Sequence, residues 1–378
     1  MSRFQRVLAV FGALAIALLA FPASSPAADP ASNATAASAV AWLTTQQQTD
    51  GGFEVVGFPG FETRDASLAI AEQAQTGTSW STSEARAALA ALHFGDASGP
   101  TPLDALDDYG ATITTAGEAA KTIVLSASPL GLDPAAFDPG EDGAPVNLVA
   151  LVDAGCLANT ASFGTFSDTL YAIMAKRLVC GVAPPAAVDT VRMAQQMDGG
   201  WNFLGDPNGS GADPDMTGLA LMALVAGGAT PPDVDVLQAL NLLATSQQAS
   251  GAWIDFFGSE GNPSSTALAV LGITAAGFDA ESACWRDTVA PDRASLPYGN
   301  PIAWIRSQQQ PDGHIASPYD GFGVNTLTTS QSVEGLLRSW LPVTRASVQT
   351  CVAPVPVAPV PNPISVAPAV VTAPRFTG

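Results

Sequence analysis

The sequence is short of positive charge. Its 378 residues hold 14 Lys and Arg against 34 Asp and Glu, a net charge of −20 at pH 7. A surface that acidic repels phosphates along its length, which argues against unassisted nucleic-acid binding and against an anionic membrane surface. Histidine is scarce, with two residues, and aromatic residues make up only 7% of the chain. Beyond Phe21 there is no long apolar run, and spanning a bilayer takes roughly 20 such residues. What is plentiful is small and apolar: 47% of the residues are hydrophobic and 13% charged, a globular composition with enough apolar mass for a core.

The two ends differ from the middle. Arg3 and Arg6 precede a fifteen-residue apolar run from Val7 to Phe21, and small residues with two prolines follow up to Ala28. Residues 1–28 are therefore expected to be a secretory signal peptide, cleaved after Ala27 or Ala28. The mature protein is expected to be secreted or held at the cell surface, where Cys156, Cys180, Cys284 and Cys351 can form disulfides. Four cysteines allow three pairings. Proximity in sequence favours Cys156 with Cys180 and Cys284 with Cys351, although the first pair requires the loop from Leu157 to Phe166 to fold back. From Val352 to Gly378 the chain is rich in Pro, Val and Ala and holds one charge, Arg375. It reads as an extended, disordered tail.

Between the ends, residues 29–351 contain a repeat. Gln47-Gln48-Thr49-Asp50-Gly51-Gly52-Phe53, Gln195-Gln196-Met197-Asp198-Gly199-Gly200-Trp201, Gln247-Gln248-Ala249-Ser250-Gly251-Ala252-Trp253 and Gln309-Gln310-Pro311-Asp312-Gly313-His314-Ile315 share one pattern. Each closes a helical pattern with a glycine suited to a left-handed cap. After an irregular stretch each is followed by a helix rich in small apolar residues, beginning near Asp65, Met216, Ser265 and Thr329. The gap between Asp50 and Asp198 leaves room for two unmarked repeats, so six is the expected count. The missing outer helices are expected near Ser83–His93 and Pro145–Ala154, and the missing inner ones near Gly117–Ala127 and after Asp168. The expected fold is all-α, an (α/α)6 toroid whose inner helices crowd around an axis.

These segments resemble the QW repeats of the terpenoid cyclase and protein prenyltransferase superfamily, a resemblance spanning Ser38 to Leu341. It implies an αα toroid. For function it implies less, because similar toroids include cyclases, cobalamin carriers and complement thioester domains. The protein prenyltransferases need zinc on Asp, Cys and His. With only His93 and His314, no metal site and no cofactor are expected. Cys180-Gly181-Val182-Ala183-Pro184 lacks the Gln of a thioester string.

One string is suggestive. Asp213-Pro214-Asp215-Met216-Thr217 resembles the Asp-x-Asp-Asp-Thr motif of squalene-hopene type cyclases, with Met216 in place of the last Asp. The resemblance makes Asp215 the candidate acid that protonates an alkene, supported by Asp213. The same string also reads as a helix cap, since Asn262-Pro263-Ser264-Ser265-Thr266 repeats its shape one unit later. In that reading Asp215 sits in the first turn, where the helix dipole favours its ionised form.

Aromatic residues cluster in the outer-to-inner connections, which open on one end of the barrel. Phe53, Trp201 and Trp253 complete the repeat pattern and are expected to pin loops. Phe203, Phe256, Phe257 and Phe322, with Asp168 and Thr217 as polar partners, are the candidate ligand-binding residues of an apolar mouth. The expected function is binding of an apolar or partly apolar small molecule, isoprenoid or corrinoid in type. The alternatives are a cyclase-like enzyme using Asp215, and a surface module for a protein or glycan. Nothing in the sequence sets an oligomeric state.

Overall fold

The computed structural model describes residues 28–53, 62–141, 143–152, 156, 158–209, 211–323 and 325–342. The expected signal peptide, apart from Ala28, and the expected tail lie outside them. In chain order the helices are α1 (Pro30–Thr44), α2 (Thr63–Gln73), α3 (Thr82–Ala90), α4 (Pro102–Thr112), α5 (Ala116–Thr122), α6 (Ser128–Leu130), α7 (Leu148–Val152) and α8 (Phe166–Cys180). They continue with α9 (Pro185–Met193), α10 (Pro214–Ala226), α11 (Val234–Ser246), α12 (Pro263–Ala275), α13 (Cys284–Val289), α14 (Pro301–Ser307) and α15 (Asn325–Leu337). Between α5 and α6 runs a π turn, Ile123–Ala127. Pro129 explains it: lacking an N–H, it cannot continue the α-helical ladder one turn on.

Among the described residues six helices form an inner ring. α2 packs on α5 through the π turn, α5 on α8, α8 on α10, α10 on α12, α12 on α15, and α15 back on α2. The fold is thus all-α and closed on itself. α10 and α12 approach backbone to backbone, because a Cβ on Gly218 would stand 2.2 Å from the Leu268 carbonyl oxygen and one on Gly272 would stand 2.6 Å from the Gly218 Cα.

The repeat pattern turns out to be a joint between neighbours in the outer layer. Gln195 Nε2 donates to its own turn at the Gly199 oxygen, 2.7 Å, and to the Asp235 oxygen of α11, 2.8 Å. Gln247 does the same to Gly251 and Gly299, and Gln309 to Gly313 and Thr35 of α1. The last of these joins the end of the toroid to its beginning. The glycine of each turn has a positive φ, 98° at Gly199 and 107° at Gly313. A Cβ at either would meet the next outer helix within 2.5 Å, at Gln238 or Ser38. The final residue of the pattern is buried, and its backbone N–H donates to a threonine of the following inner helix: Phe53 to Thr63, Trp201 to Thr217, Trp253 to Thr266 and Ile315 to Thr329.

The outer layer departs from the expected register in one place. The helix expected near Ser83–His93 is α3, but the turn at Gly51 packs against Thr101, the cap of α4, so α4 takes that place in the outer layer. Sequence reading missed α4 because no repeat pattern follows it, although Thr101, Pro102 and Asp104 spell a capping box.

Cys156 and Cys180 are bonded, closing a separation of 24 residues. Cys284 is disulfide-bonded as well, and Cys351 lies outside the described residues. Tying the α7–α8 loop to the end of α8 restricts the unfolded chain. Cys180→Ser is expected to lower stability by about 3 kcal/mol in chemical denaturation, and a loss under about 1 kcal/mol would contradict that account.

Candidate functional site

The inner helices start at one end of the toroid, and their first turns build the site. Asp213 caps α10 by accepting the Asp215 N–H at 3.0 Å, as Asn262 caps α12 by accepting the Ser264 N–H at 2.9 Å. Pro at the next position in both fixes the helical φ and needs no partner for an N–H. Asp215 falls on the same helical stripe as Leu219 and Met222, at i+4 and i+7, and both of these line an axial cavity. Its side chain therefore stands one turn above the lumen. Its Oδ1 is buried without a hydrogen-bond partner.

Burial and the neighbouring Asp213 carboxylate push Asp215 up to about 8, against the pull of the Ser265 hydroxyl, with Asp255 adding to the rise. Burial pushes Asp213 up to about 6, opposed by its backbone bond from Asp215 and helped by Asp255. The expectation that the helix dipole would hold Asp215 ionised is thus corrected. A first-turn dipole contributes about 0.3–1 kcal/mol, less than the combined cost of desolvation and a second carboxylate. Burial and the neighbouring carboxylates thus favour its protonated form.

Asp255, which sequence reading passed over, is the third carboxyl group of this cluster. It accepts the Tyr319 hydroxyl at 2.8 Å, Asn262 Nδ2 at 2.8 Å and the Phe257 N–H at 2.7 Å. Its place in the repeat, two residues after Trp253, was the available signal.

The other candidates separate. Thr217 is fully buried and its hydroxyl receives the Trp201 N–H. Asp168 closes a capping box on Thr165, whose N–H donates to Oδ2 at 2.8 Å. Phe203, Phe256 and Phe257 are exposed on the rim, the last two edge to face at 5.2 Å. The Phe322 side chain lies outside the described residues. Trp201 and Trp253 are fully buried, each donating its indole N–H to an outer-helix carbonyl, Val191 and Leu243.

Below Asp215 the lumen holds a second set of polar groups. Lys121 pairs with Asp65 at 3.2 Å, and Gln331 Nε2 approaches Asp65 at 3.4 Å. Burial lowers Lys121 despite that partner. Burial also drives Glu334 and Glu72 well above the usual carboxylate range, Glu334 with added repulsion from Asp65 and Glu72. The cavity is about 30 Å³. Trp340, Leu341 and Pro342 close its far end, with the Trp340 ring tilted at 53° against Trp80, centroids 5.1 Å apart, and the Trp340 backbone N–H donated to Glu72 Oε1 at 2.9 Å. Among the described residues no helix is long and apolar enough to cross a membrane.

Solved structures resemble this fold. The type II terpene cyclase MstE from Scytonema, without ligand, is similar with a TM-score of 0.55 and 15% identity, covering 82% of this chain and 98% of that one. A variant of it in complex with merosterolic acid A, its product, matches at TM-score 0.52 and 16% identity, over 82% and 97%. Another, holding the substrate geranylgeranyl dihydroxybenzoate, matches at the same values. No family model matches the chain, and no curated protein does. The likeness establishes the fold: the chain is a terpenoid cyclase-like αα toroid.

Proposed function

We propose that this protein, once exported, binds an apolar, isoprenoid-type molecule along the axis of its toroid. The observation that supports the reading is the lumen itself, an apolar wall from α10 and α12 facing a small group of buried polar side chains. MstE variants hold a geranylgeranyl substrate and its product. Native mass spectrometry of the mature protein from its own host is the test. A stoichiometric small-molecule mass that is lost on denaturation is the expected result, and its value distinguishes an isoprenoid from a corrinoid. An empty protein that also fails to bind added farnesol would overturn the reading in favour of a surface module for proteins or glycans.

A second reading, a class II cyclase-like enzyme, is favoured by one observation: Asp215 has a buried oxygen without a hydrogen-bond partner one turn above the lumen, and its surroundings raise its carboxyl toward the protonated form. Such an acid transfers its proton to a terminal alkene carbon, leaving an Asp215 carboxylate and a tertiary carbocation that an internal double bond then attacks. If this chemistry occurs, Asp215→Asn abolishes product from a geranylgeranyl substrate. Product formed at the native rate by that variant would remove Asp215 from the reaction.

A further inference from the structure

The lumen is divided in its chemistry. Leu219, Met222, Leu268 and Leu271 from α10 and α12 form a wholly apolar wall, while α2, α8 and α15 bring the polar Asp65, Tyr171, Gln331 and Glu334 among apolar neighbours such as Leu68 and Met174. Glu334 is 7% exposed, and its Oε1 has no hydrogen-bond partner. A buried polar atom left in that state costs about 1–3 kcal/mol unless something binds it.

The charges around Glu334 decide what can bind. Lys121 is engaged by Asp65. Arg64 donates to the Thr122 hydroxyl and the Glu118 carbonyl and lies over the Tyr109 ring at 4.6 Å. A phosphate or diphosphate entering here would lose its water and meet two carboxyl side chains, with Lys121 already paired to Asp65. An ammonium would meet Lys121 and Arg64. An uncharged oxygen meets neither penalty and satisfies the carboxyl group as donor, acceptor or both. The space of about 30 Å³ holds little more than a water or a hydroxyl group, so it measures a head and not a chain. The hydrocarbon behind the head has to displace the segment Trp340–Pro342, which closes that end.

We infer that Glu334, with Gln331 beside it, recognises the uncharged oxygen head, an alcohol or carbonyl, of an isoprenoid chain in the lumen. The inference rests on the binding reading above and names the chemical class of its ligand. Four probes of one chain length separate the possibilities on the full mature protein by calorimetry: farnesol, farnesyl diphosphate, farnesylamine and the hydrocarbon farnesene. Farnesol is expected to bind about 10-fold more tightly than each of the others. Glu334→Leu and Gln331→Leu are each expected to reduce the preference over farnesene to about 3-fold or less, while Glu334→Gln, which still donates and accepts, retains it. The diphosphate or amine binding as well as farnesol overturns the head assignment, as does an undiminished preference in both Leu variants, with folding checked by circular dichroism. Four probes binding alike would sink this assignment and leave the binding reading standing. Binding of none sinks both.

Discussion

Asp215→Asn is expected to be more stable than the native protein at pH 8, by on the order of 2 kcal/mol, and by a clearly smaller margin at pH 5. The sign follows from the direction of the shift. Asp215 is raised to about 8 in the folded protein, from 3.8 in its ordinary state, so between these values the folded chain holds a proton that the unfolded chain has released. Stability is then full below pH 4 and falls as the pH rises toward 8. Asp213, raised to about 6, adds the same slope over pH 4 to 6, and the raised Glu72 and Glu334 act in the same sense. Asp29, Asp96 and Asp312 are lowered and work the opposite way, but below pH 4, outside that window. Asparagine keeps the shape of Asp215 and its backbone bond to Asp213 and removes the titration. Each pKa unit corresponds to about 1.4 kcal/mol, and three carboxylates share the repulsion, which is why the expected gain is set below the full shift. Urea denaturation at the two pH values measures it. An equal difference at both would show that Asp215 is ionised throughout, as a first-turn residue facing water would be.

Gly218→Ala is expected to lose about 3 kcal/mol or more, or to prevent accumulation of the protein. In an exposed helix interior the same change gains about 1 kcal/mol. Here the added Cβ would lie 2.2 Å from the Leu268 carbonyl oxygen, and the opposing atoms belong to a helix backbone that cannot turn aside. Separating α10 from α12 would open the inner ring at the helix pair that positions Asp215 above Leu219 and Met222. Thermal melts of the variant and the native protein decide it, and an unchanged or raised melting temperature would show that α10 and α12 can move apart without cost.

Much of this architecture was legible in the chain. The glutamine–glycine–aromatic pattern marks four of the outer-layer turns, and the polar-Pro start of α10 and α12 marks their first residues, because caps and left-handed turns depend on a few adjacent residues. Trp201 and Trp253, expected to pin loops, are fully buried in the structure. Its glutamines were harder to interpret, since each bonds a carbonyl some 40 or more residues away, as Gln195 does at Asp235 and Gln247 at Gly299. The helix α4 was missed because no repeat pattern follows it, although its capping box is a local signal.

The candidate site divides along that line. The sequence placed Asp213 at a cap and Asp215 two residues into a helix, and hydrogen bonding to adjacent N–H groups is enough to fix both. It could not settle whether Asp215 is charged, because that depends on the water excluded around it and on Asp213 and Asp255, and Asp255 arrives from another loop. Nor could it show that Asp65, Gln331 and Glu334, spread over 270 residues of chain, share one lumen. Local propensity acts through neighbours in sequence, whereas protonation, cavity shape and the pairing of Lys121 with Asp65 depend on which groups the closed ring brings together and what it keeps from solvent.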